Sequence, residues 1–526
     1  MKKIFIIVGF FSILLSQKDF VIPFDWGGQN GSIIHNGKLF WNQSWTSGML
    51  LFDGTYSSYP IRFGPHTSKK FASQKMYFFP AFWSLPDSTN NTSYLDYYRG
   101  DYSYDQLELG ANFESKDEMI HIRGFKRSHG GNVGHYFHPA GGSSPIHHSY
   151  RVNYGVNRGN RKLESSVGRY ITRSGLPDST YNGSENDNII NAGLRFQQPF
   201  KKNILDLYIG QFLQHRRINH SSVNDSSYND INRSQFIVQL KSQKNYSFGI
   251  RHDSQQINIF NFNRLVNWTT FYGYKSYENF SVLVGSQLLM PNKSNFFIWS
   301  INYKKNFGIG YIEFLSNSLA KPVHPSFYQK NEKNNFENWT NNKISGSLKF
   351  GSIKTNGYYQ INQQRMKGLE DVEAQFVGLD IKYTFINDWN VYSNILTQLD
   401  TSYFGGGVGS IATVGLIGQF NLFNNNMNLK SHIWANTITG RIPSFGFDAI
   451  RQSPFINSNP GWIINDHMLL HFELTANISG VLIHYRINNL LNAFGVNSDE
   501  AWIQHNHIYQ KLGRMIQFGV TWNFIN

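Results

Sequence analysis

The sequence predicts an all-β chain, a transmembrane antiparallel β-barrel of about 22 strands, within a range of about 20 to 24. Three observations support this prediction. Apolar and polar residues alternate along many segments, short and long polar connections alternate between those segments, and the composition is rich in aromatic residues (16%) yet poor in charged ones (16%). So many rings exclude a disordered chain, and the absence of cysteine excludes a disulfide-stapled domain or a Cys-ligated zinc protein.

Residues 1–16 have the features of a secretory signal peptide. Lys2 and Lys3 precede the mostly apolar run Ile4–Leu15, which is shorter than the ~20 residues that a membrane-spanning helix needs. A core helix or a membrane anchor is the alternative interpretation of this run. Residues 17–90 then form an N-terminal segment, either a reduced plug or the first strand, and residues 91–526 form the barrel.

The period-two alternation is clearest in the last segment of the chain. There the apolar residues Ile516, Phe518, Val520, Trp522 and Phe524 alternate with Gln517, Gly519, Thr521 and Asn523. Such a period places one set of side chains on each face of a strand. Several apolar faces end in Tyr, Trp or Phe, as the aromatic girdles at a membrane boundary do. Because lipid cannot pair with backbone polar groups, such a sheet must close into a barrel.

The connections between the alternating segments fall into two classes. The short polar turns are at Glu114–Glu118, Arg158–Arg161, Gln197–Asn203, Lys241–Lys244, Lys275–Asn279, Lys304–Asn306, Gly351–Ser352, Asn387–Asp388, Asn424–Asn426 and Asn477–Gly480. The longer stretches are at His129–Pro145, His215–Arg233, Asn317–Asn335, Thr439–Ile464 and Asn489–Leu512. This alternation is typical of bacterial outer-membrane barrels, which have short periplasmic turns and long extracellular loops. The soluble alternatives include propellers and β-helices, which would show a fixed repeat that this sequence lacks.

The C-terminal segment resembles the last hairpin of TonB-dependent receptors. Asn489, Leu490, Leu491 and Asn492 stand where that family has an Asn-Leu-Leu/Phe-Asp/Asn element, Gly513 and Arg514 precede the final strand, and Phe524 matches the terminal aromatic residue. Ile525 and Asn526 after Phe524 are a departure from the family pattern. The resemblance implies a barrel of about 22 strands. It does not extend to the family's plug domain or to its energy-coupling motif.

The polar faces of the strands supply the candidate lumen-lining residues. These are Arg123, Arg151, Arg195, Asp380, Lys382, His471, Glu473, His484 and Arg486. Together with a net charge of +14 they favour an anionic solute, since basic side chains select anions in pores. Two alternatives stay open. The inward residues could be a hydrated wall of paired charges, and the basic turns and loops could instead bind lipopolysaccharide phosphates.

A group of histidines in a glycine-rich stretch is the only weak candidate for a metal site. It consists of His129, His135, His138, His147 and His148. Imidazole is a common ligand of zinc and copper, but this spacing matches no known metal motif. We therefore predict no bound metal and no cofactor.

These observations predict a transport protein of the bacterial outer membrane, either a porin-like channel or an importer of a small solute like the TonB-dependent receptors. The alternatives are a surface binding or adhesion barrel that acts through its long loops, and a barrel-embedded hydrolase. No Gly-x-Ser-x-Gly element is present, and we predict no enzymatic activity. The expected partners are the solute, outer-membrane lipid and lipopolysaccharide, and the barrel-assembly machinery, with TonB or a lipoprotein as a further candidate. Dispersed basic residues argue against nucleic-acid binding.

Overall fold

The computed structural model describes residues 32–35, 38–41, 85–128, 130, 146–175, 183–219, 227–259, 262–290, 294–322, 336–366, 372–386, 389–400, 409–424, 426–440, 445–448, 453–456, 466–493 and 514–525. Its first strands are β1 (Ser32–His35), β2 (Lys38–Trp41), β3 (Asn90–Gly100), β4 (Tyr104–Glu114), β5 (Glu118–Ser128), β6 (Ile146–Arg158), β7 (Arg161–Gly175), β8 (Ser184–Phe200), β9 (Asn203–Asn219), β10 (Ser227–Ser242), β11 (Tyr246–Ile259), β12 (Phe262–Ser276) and β13 (Phe280–Met290). The remaining strands are β14 (Ser294–Phe307), β15 (Gly310–Pro322), β16 (Phe336–Phe350), β17 (Ile353–Met366), β18 (Val372–Ile386), β19 (Trp389–Gln398), β20 (Ser410–Leu422), β21 (Met427–Thr439), β22 (Phe445–Asp448), β23 (Ser453–Ile456), β24 (His467–Ile478), β25 (Val481–Asn488) and β26 (Met515–Ile525). A 3-10 turn at Asp101–Ser103 and the short helix α1 (Leu490–Ala493) complete the elements.

Twenty-two of these strands close into a single antiparallel barrel, as predicted. Each barrel strand pairs with its neighbour in the chain, and β26 pairs with β3, so that Gln517 lies opposite Gly100 and Ile525 lies opposite Thr92. The Asp101 carboxylate reinforces this seam by accepting a hydrogen bond from the Ile516 backbone N–H at 2.9 Å. Strands β1 and β2, and strands β22 and β23, form two separate ladders. Within the described ranges, no helix is long and apolar enough to cross a membrane.

The barrel wall has an apolar outer face and a polar inner face. On β9, Ile209 and Leu213 are 52% and 41% exposed, whereas Asp206 and Arg216 on the alternate face are fully buried. The same inversion recurs around the barrel, since many exposed side chains are large and apolar while the buried set is rich in Arg, Asp, Gln and Asn. This polarity is the reverse of a soluble protein, and it suits a wall that faces lipid outside and polar groups inside.

One end of the barrel carries the start of β3, the end of β26 and a series of tight turns. The described connections at this end are 115–117, 159–160, 201–202, 243–245, 277–279, 308–309, 351–352 and 479–480. Gly159, Gly351 and Gly480 in these turns have positive φ angles, which glycine adopts without strain. Most connections at the opposite end lie outside the described residues, so the predicted long loops stay a prediction.

Several strands extend beyond the limits that the sequence predicts. The stretch His215–Arg233 is predicted as one loop, but β9 continues to Asn219 and β10 begins at Ser227. Likewise, Asn317–Asn335 contains the end of β15, and Thr439–Ile464 contains β22 and β23. The outward residues of β9 beyond Leu213 are His215, Arg217 and Asn219, so the apolar alternation ends although the backbone ladder continues.

The first barrel strand begins at Asn90. The signal peptide lies outside the described residues, and the structure describes only β1, β2 and residues 85–90 of the N-terminal segment. A reduced plug within residues 17–90 therefore stays a prediction.

Candidate functional site: a stacked wall inside the barrel

The predicted lumen-lining residues all lie on the inner, polar face of their strands. Arg123 of β5 lies opposite Arg151 of β6 in the register. The Arg123 guanidinium donates a hydrogen bond to Asn112 Oδ1 at 2.5 Å, and it lies 5.0 Å from the centroid of the Tyr94 ring. The other predicted residues are on β8, β18, β24 and β25. Whether any of them binds a solute stays a prediction.

Inside strands β8 to β12, the charged residues form a buried network. Arg195 donates to Asp206 through two nitrogens, at 2.9 and 2.6 Å, and Lys241 contacts the same carboxylate at 2.6 Å. Asp253 accepts hydrogen bonds from Arg233 at 3.1 Å and from Arg251 at 2.6 Å. Because both carboxylates are fully buried and paired, this network has the character of a structural element.

A different sector of the inner face is open to solvent. On β18, Asp380 is half-buried and Lys382 is exposed, and the inward side chains of β19 and β21 are half-buried except for the buried Leu396 and the exposed Lys430. A solute inside the barrel can therefore reach this open sector.

The centre of the open sector is a row of stacked rings, which we call the stacked wall: Tyr392, His432, Trp434 and His471. The Tyr392 hydroxyl and His432 Nε2 share a hydrogen bond of 2.8 Å. The His432 and Trp434 rings stack with centroids 4.2 Å apart and planes 19° apart. Trp434 stacks in turn on His471, with centroids 5.0 Å apart and planes 15° apart. These rings form a row of contacts that runs from β19 across β20 to β21 and β24, and His471 at its end is buried.

A charged group, the Glu473–Arg486 pair with His484 and Tyr98, borders the stacked wall. Glu473 and Arg486 face each other across β24 and β25, and two Arg486 nitrogens each lie 3.1 Å from Glu473 Oε2. The Arg486 guanidinium lies 5.7 Å from the Tyr98 ring centroid, and the His484 ring lies 5.5 Å from it. The side chains of this pair are 22% and 34% exposed, so both charges remain accessible.

Two glycines create the space that these aromatic rings occupy. Gly415 lies between Tyr392 and Trp434 in the register, and a Cβ built there would come within 2.5 Å of the Tyr392 ring. Gly519 lies between Tyr98 and His484, and a Cβ there would come within 2.3 Å of the Tyr98 ring. Each tyrosine ring therefore lies flat across the backbone of the neighbouring strand, which directs its hydroxyl end toward the next strand.

This arrangement can recognise a solute by two kinds of contact. A planar ring can contact the edges of the half-buried Tyr392, His432 and Trp434 rings, and an anionic group can pair with Arg486. Among the described residues, no group of three or more His, Asp or Glu side chains could hold a metal ion.

The remaining predicted residues do not join this site. His147 is buried on the inner face of β6 beside Arg127, with 3.0 Å between Nδ1 and the guanidinium, while His148 lies on the outer face. His129, His135 and His138 lie outside the described residues. Because adjacent residues of a strand point to opposite faces, His147 and His148 cannot share one inner site.

The residues of the family motif follow β25 or belong to the region of β26. Asn489 is fully buried with a positive φ of 54°, and Leu490, Leu491 and Asn492 belong to α1. The Arg514 carbonyl accepts a hydrogen bond from the Tyr102 hydroxyl, and Phe524 packs on Trp522 with centroids 4.3 Å apart. Gly513 lies outside the described residues.

The comparisons with known proteins agree with this fold. No protein-family model matches the sequence, and no curated protein matches it. The FrpB iron transporter from Neisseria meningitidis (F5-1 variant) is similar in structure, with a TM-score of 0.64, 12% identity, and coverage of 84% of this chain and 83% of that chain. The siderophore receptor PiuA from Acinetobacter baumannii has a TM-score of 0.58 at 10% identity, over 84% of this chain and 82% of that chain.

A third similar structure is the copper transporter OprC, with a TM-score of 0.57, 10% identity, and coverage of 85% of this chain and 82% of that chain. These structures are TonB-dependent receptors, so the resemblance seen in the C-terminal hairpin is confirmed for the barrel fold. By their names these neighbours are transporters and a receptor, and at 10–12% identity the likeness shows the fold alone.

Proposed function

We propose that this chain is a transport protein of the bacterial outer membrane, which binds a small solute at the stacked wall and imports it as TonB-dependent receptors do. The observation that carries the proposal is the open row of rings beside the accessible Arg486, inside a barrel whose outer face is apolar. The similarity of the barrel to transporters of iron and copper and to a siderophore receptor supports a transport role.

The solute that fits this wall is a planar, aromatic molecule with negative charge, either free or as a metal chelate. Its ring would pack edge-to-face against the half-buried Trp434, while its charge would pair with Arg486 at the cost of the Glu473 contact. Recognition of a complete metal chelate requires no metal ligands from the protein.

A binding measurement tests this proposal with ferric tris-catecholate as the probe. We expect Trp434→Ala and Arg486→Met each to weaken binding about five- to thirtyfold, since an aromatic contact or a charge-assisted hydrogen bond contributes about 1–2 kcal/mol. The matched control is Trp522→Ala, which removes an equally large ring from the outer face. The proposal fails if both variants bind as the wild type does, or if the control loses binding to the same extent.

A conductance measurement in planar bilayers separates an importer from a porin-like channel. An importer is expected to show little steady conductance, and its solute uptake in cells is expected to stop when the proton gradient is dissipated. A large, steady conductance with uptake that is independent of the proton gradient would contradict the importer hypothesis and indicate a porin-like channel.

A further inference from the structure

A row of four hydrogen-bonded side chains crosses the inner face beside the Glu473–Arg486 pair. We call it the histidine chain: Asp96 of β3, Thr521 of β26, His484 of β25 and Thr475 of β24. The Thr521 hydroxyl donates a hydrogen bond to Asp96 Oδ1. His484 Nε2 lies 3.0 Å from Thr521 Oγ1, and His484 Nδ1 lies 3.1 Å from Thr475 Oγ1. Both ring nitrogens of His484 are therefore engaged.

The histidine chain determines which nitrogen of His484 carries the proton. An ionised carboxylate only accepts hydrogen bonds, so the single hydroxyl proton of Thr521 points to Asp96. The Thr521 oxygen then accepts from His484, which requires a proton on Nε2. In the neutral ring Nδ1 is the acceptor, and it receives the hydroxyl proton of Thr475. Nδ1 is therefore the nitrogen that gains a proton when the ring becomes an imidazolium.

Nδ1 of His484 also faces the carboxylate of Glu473. It lies 3.9 Å from Glu473 Oε1, while two Arg486 nitrogens each lie 3.1 Å from the other oxygen, Oε2. The side chains of His484 and Glu473 are only 10% and 22% exposed, so solvent screens their interaction weakly. A proton on Nδ1 would give Glu473 a second cationic partner, on the oxygen that Arg486 does not use.

The charges around His484 are unbalanced as long as its ring is neutral. Asp96 on β3 and Glu473 on β24 are acidic, whereas Arg486 on β25 is basic. The other described groups that face the ring are neutral: Tyr98, Thr475, Gly519 and Thr521. An anionic group that pairs with Arg486 would displace Glu473 and add to this negative excess. Binding of an anionic solute is therefore unfavourable unless a proton accompanies it.

We propose that His484 takes up a proton on Nδ1 when an anionic solute pairs with Arg486, an inference that rests on the proposed function of the barrel interior. The proton comes from solvent, the solute anion replaces Glu473 on Arg486, and the Glu473 carboxylate pairs with the new imidazolium. Asp96 and Thr521 are positioning residues, since their hydrogen bonds orient the ring with Nδ1 toward Glu473. By linkage, the affinity for the solute rises as the pH falls and is lost as the pH rises.

Calorimetry on the full-length protein in detergent tests this coupling. The probe is naphthalene-2-sulfonate, a planar ring whose sulfonate group keeps its charge between about pH 5.5 and about pH 8. Titrations in buffers of different ionisation enthalpy give the number of protons taken up per molecule bound. Near pH 7 we expect an uptake of more than about half a proton. Above that pH the affinity should fall severalfold and at most about tenfold per pH unit, because the slope of log Kd against pH equals the proton uptake.

Two variants and a matched control assign the proton to His484. His484→Gln should bind the sulfonate without proton uptake and with an affinity that does not change with pH. Asp96→Asn retains the shape of the side chain but removes its charge, and it should take up less than about half as much proton as the wild type. The control is His121→Gln on β5, which removes another inward imidazole, 2.6 Å from the Glu114 carboxylate. It should retain the wild-type uptake because it is remote from Arg486 in the register.

Three results would overturn the proposal: no proton uptake by the wild type, unchanged uptake in His484→Gln, or an equal loss of uptake in His121→Gln. If His484→Gln does not fold, Asp96→Asn decides, since a merely structural role of Asp96 would change the affinity equally at every pH. Absent sulfonate binding by the wild type would count against the proposed function and this coupling together. Binding without proton uptake would overturn the coupling alone.

Discussion

Substitution of Gly519 by alanine tests whether the Tyr98 ring can pack on the inner wall only because residue 519 has no side chain. A Cβ at this position would lie 2.3 and 2.4 Å from two carbons of the Tyr98 ring, whereas ordinary contacts are 3.4–4 Å. The ring would have to move by about 1 Å, and overpacking of this kind costs about 1–3 kcal/mol. The displaced ring would also lose its contacts with His484 and Arg486, so chelate binding should weaken in the same variant.

The size of this overpacking penalty is the difference in the free energy of unfolding between wild type and variant, measured by urea titration in lipid vesicles. The matched control is Gly124→Ala on β5, where a Cβ would meet nothing within 4 Å and where we expect a change within about 0.5–1 kcal/mol. In a Tyr98→Ala background the Gly519→Ala penalty should vanish, which gives a coupling energy of about 1–3 kcal/mol. A penalty of the same size with and without the Tyr98 ring would refute the reasoning.

Two further substitutions test the buried network and the assignment of the two faces. Asp253→Asn should lower the free energy of unfolding by about 3–5 kcal/mol because it leaves buried arginines uncompensated, whereas Asp230→Asn in an exposed pair should change it by less than about 1 kcal/mol. Ile395→Arg on the outer face should cost about 2–4 kcal/mol in vesicles, while Asn394→Arg on the inner face should be tolerated. The same urea titration measures all four variants. Equal losses of unfolding free energy in the two aspartate variants, or in the two arginine variants, would contradict the structure.

The barrel could be predicted from the sequence because lipid imposes a simple pattern on it. Strands such as β26 need apolar residues at every second position, and the tight turns interrupt that pattern with polar residues. The pattern ends where the wall leaves the lipid. For that reason the outer ends of β9 and β10, whose described outward residues are polar, could not be told from a loop.

The candidate site was predictable only in part. His471, Glu473, His484 and Arg486 follow from the alternation along β24 and β25. The stacked wall is not among the predicted site residues, although His432 and Trp434 alternate with Ile433 and Ala435 along β21. Its contacts also depend on register across three strands, and no local pattern tells which glycine lies opposite Tyr392.

The pairing of β26 with β3 imposes an order on the assembly of the barrel. These two strands come from nearly opposite ends of the chain, so the sheet stays open until the last strand has been made and placed. Until then, each edge presents unpaired backbone groups, and each such group costs several kcal/mol in hydrocarbon. An incomplete chain therefore has no stable position in the bilayer, and closure at the seam is the event that commits the protein to the membrane.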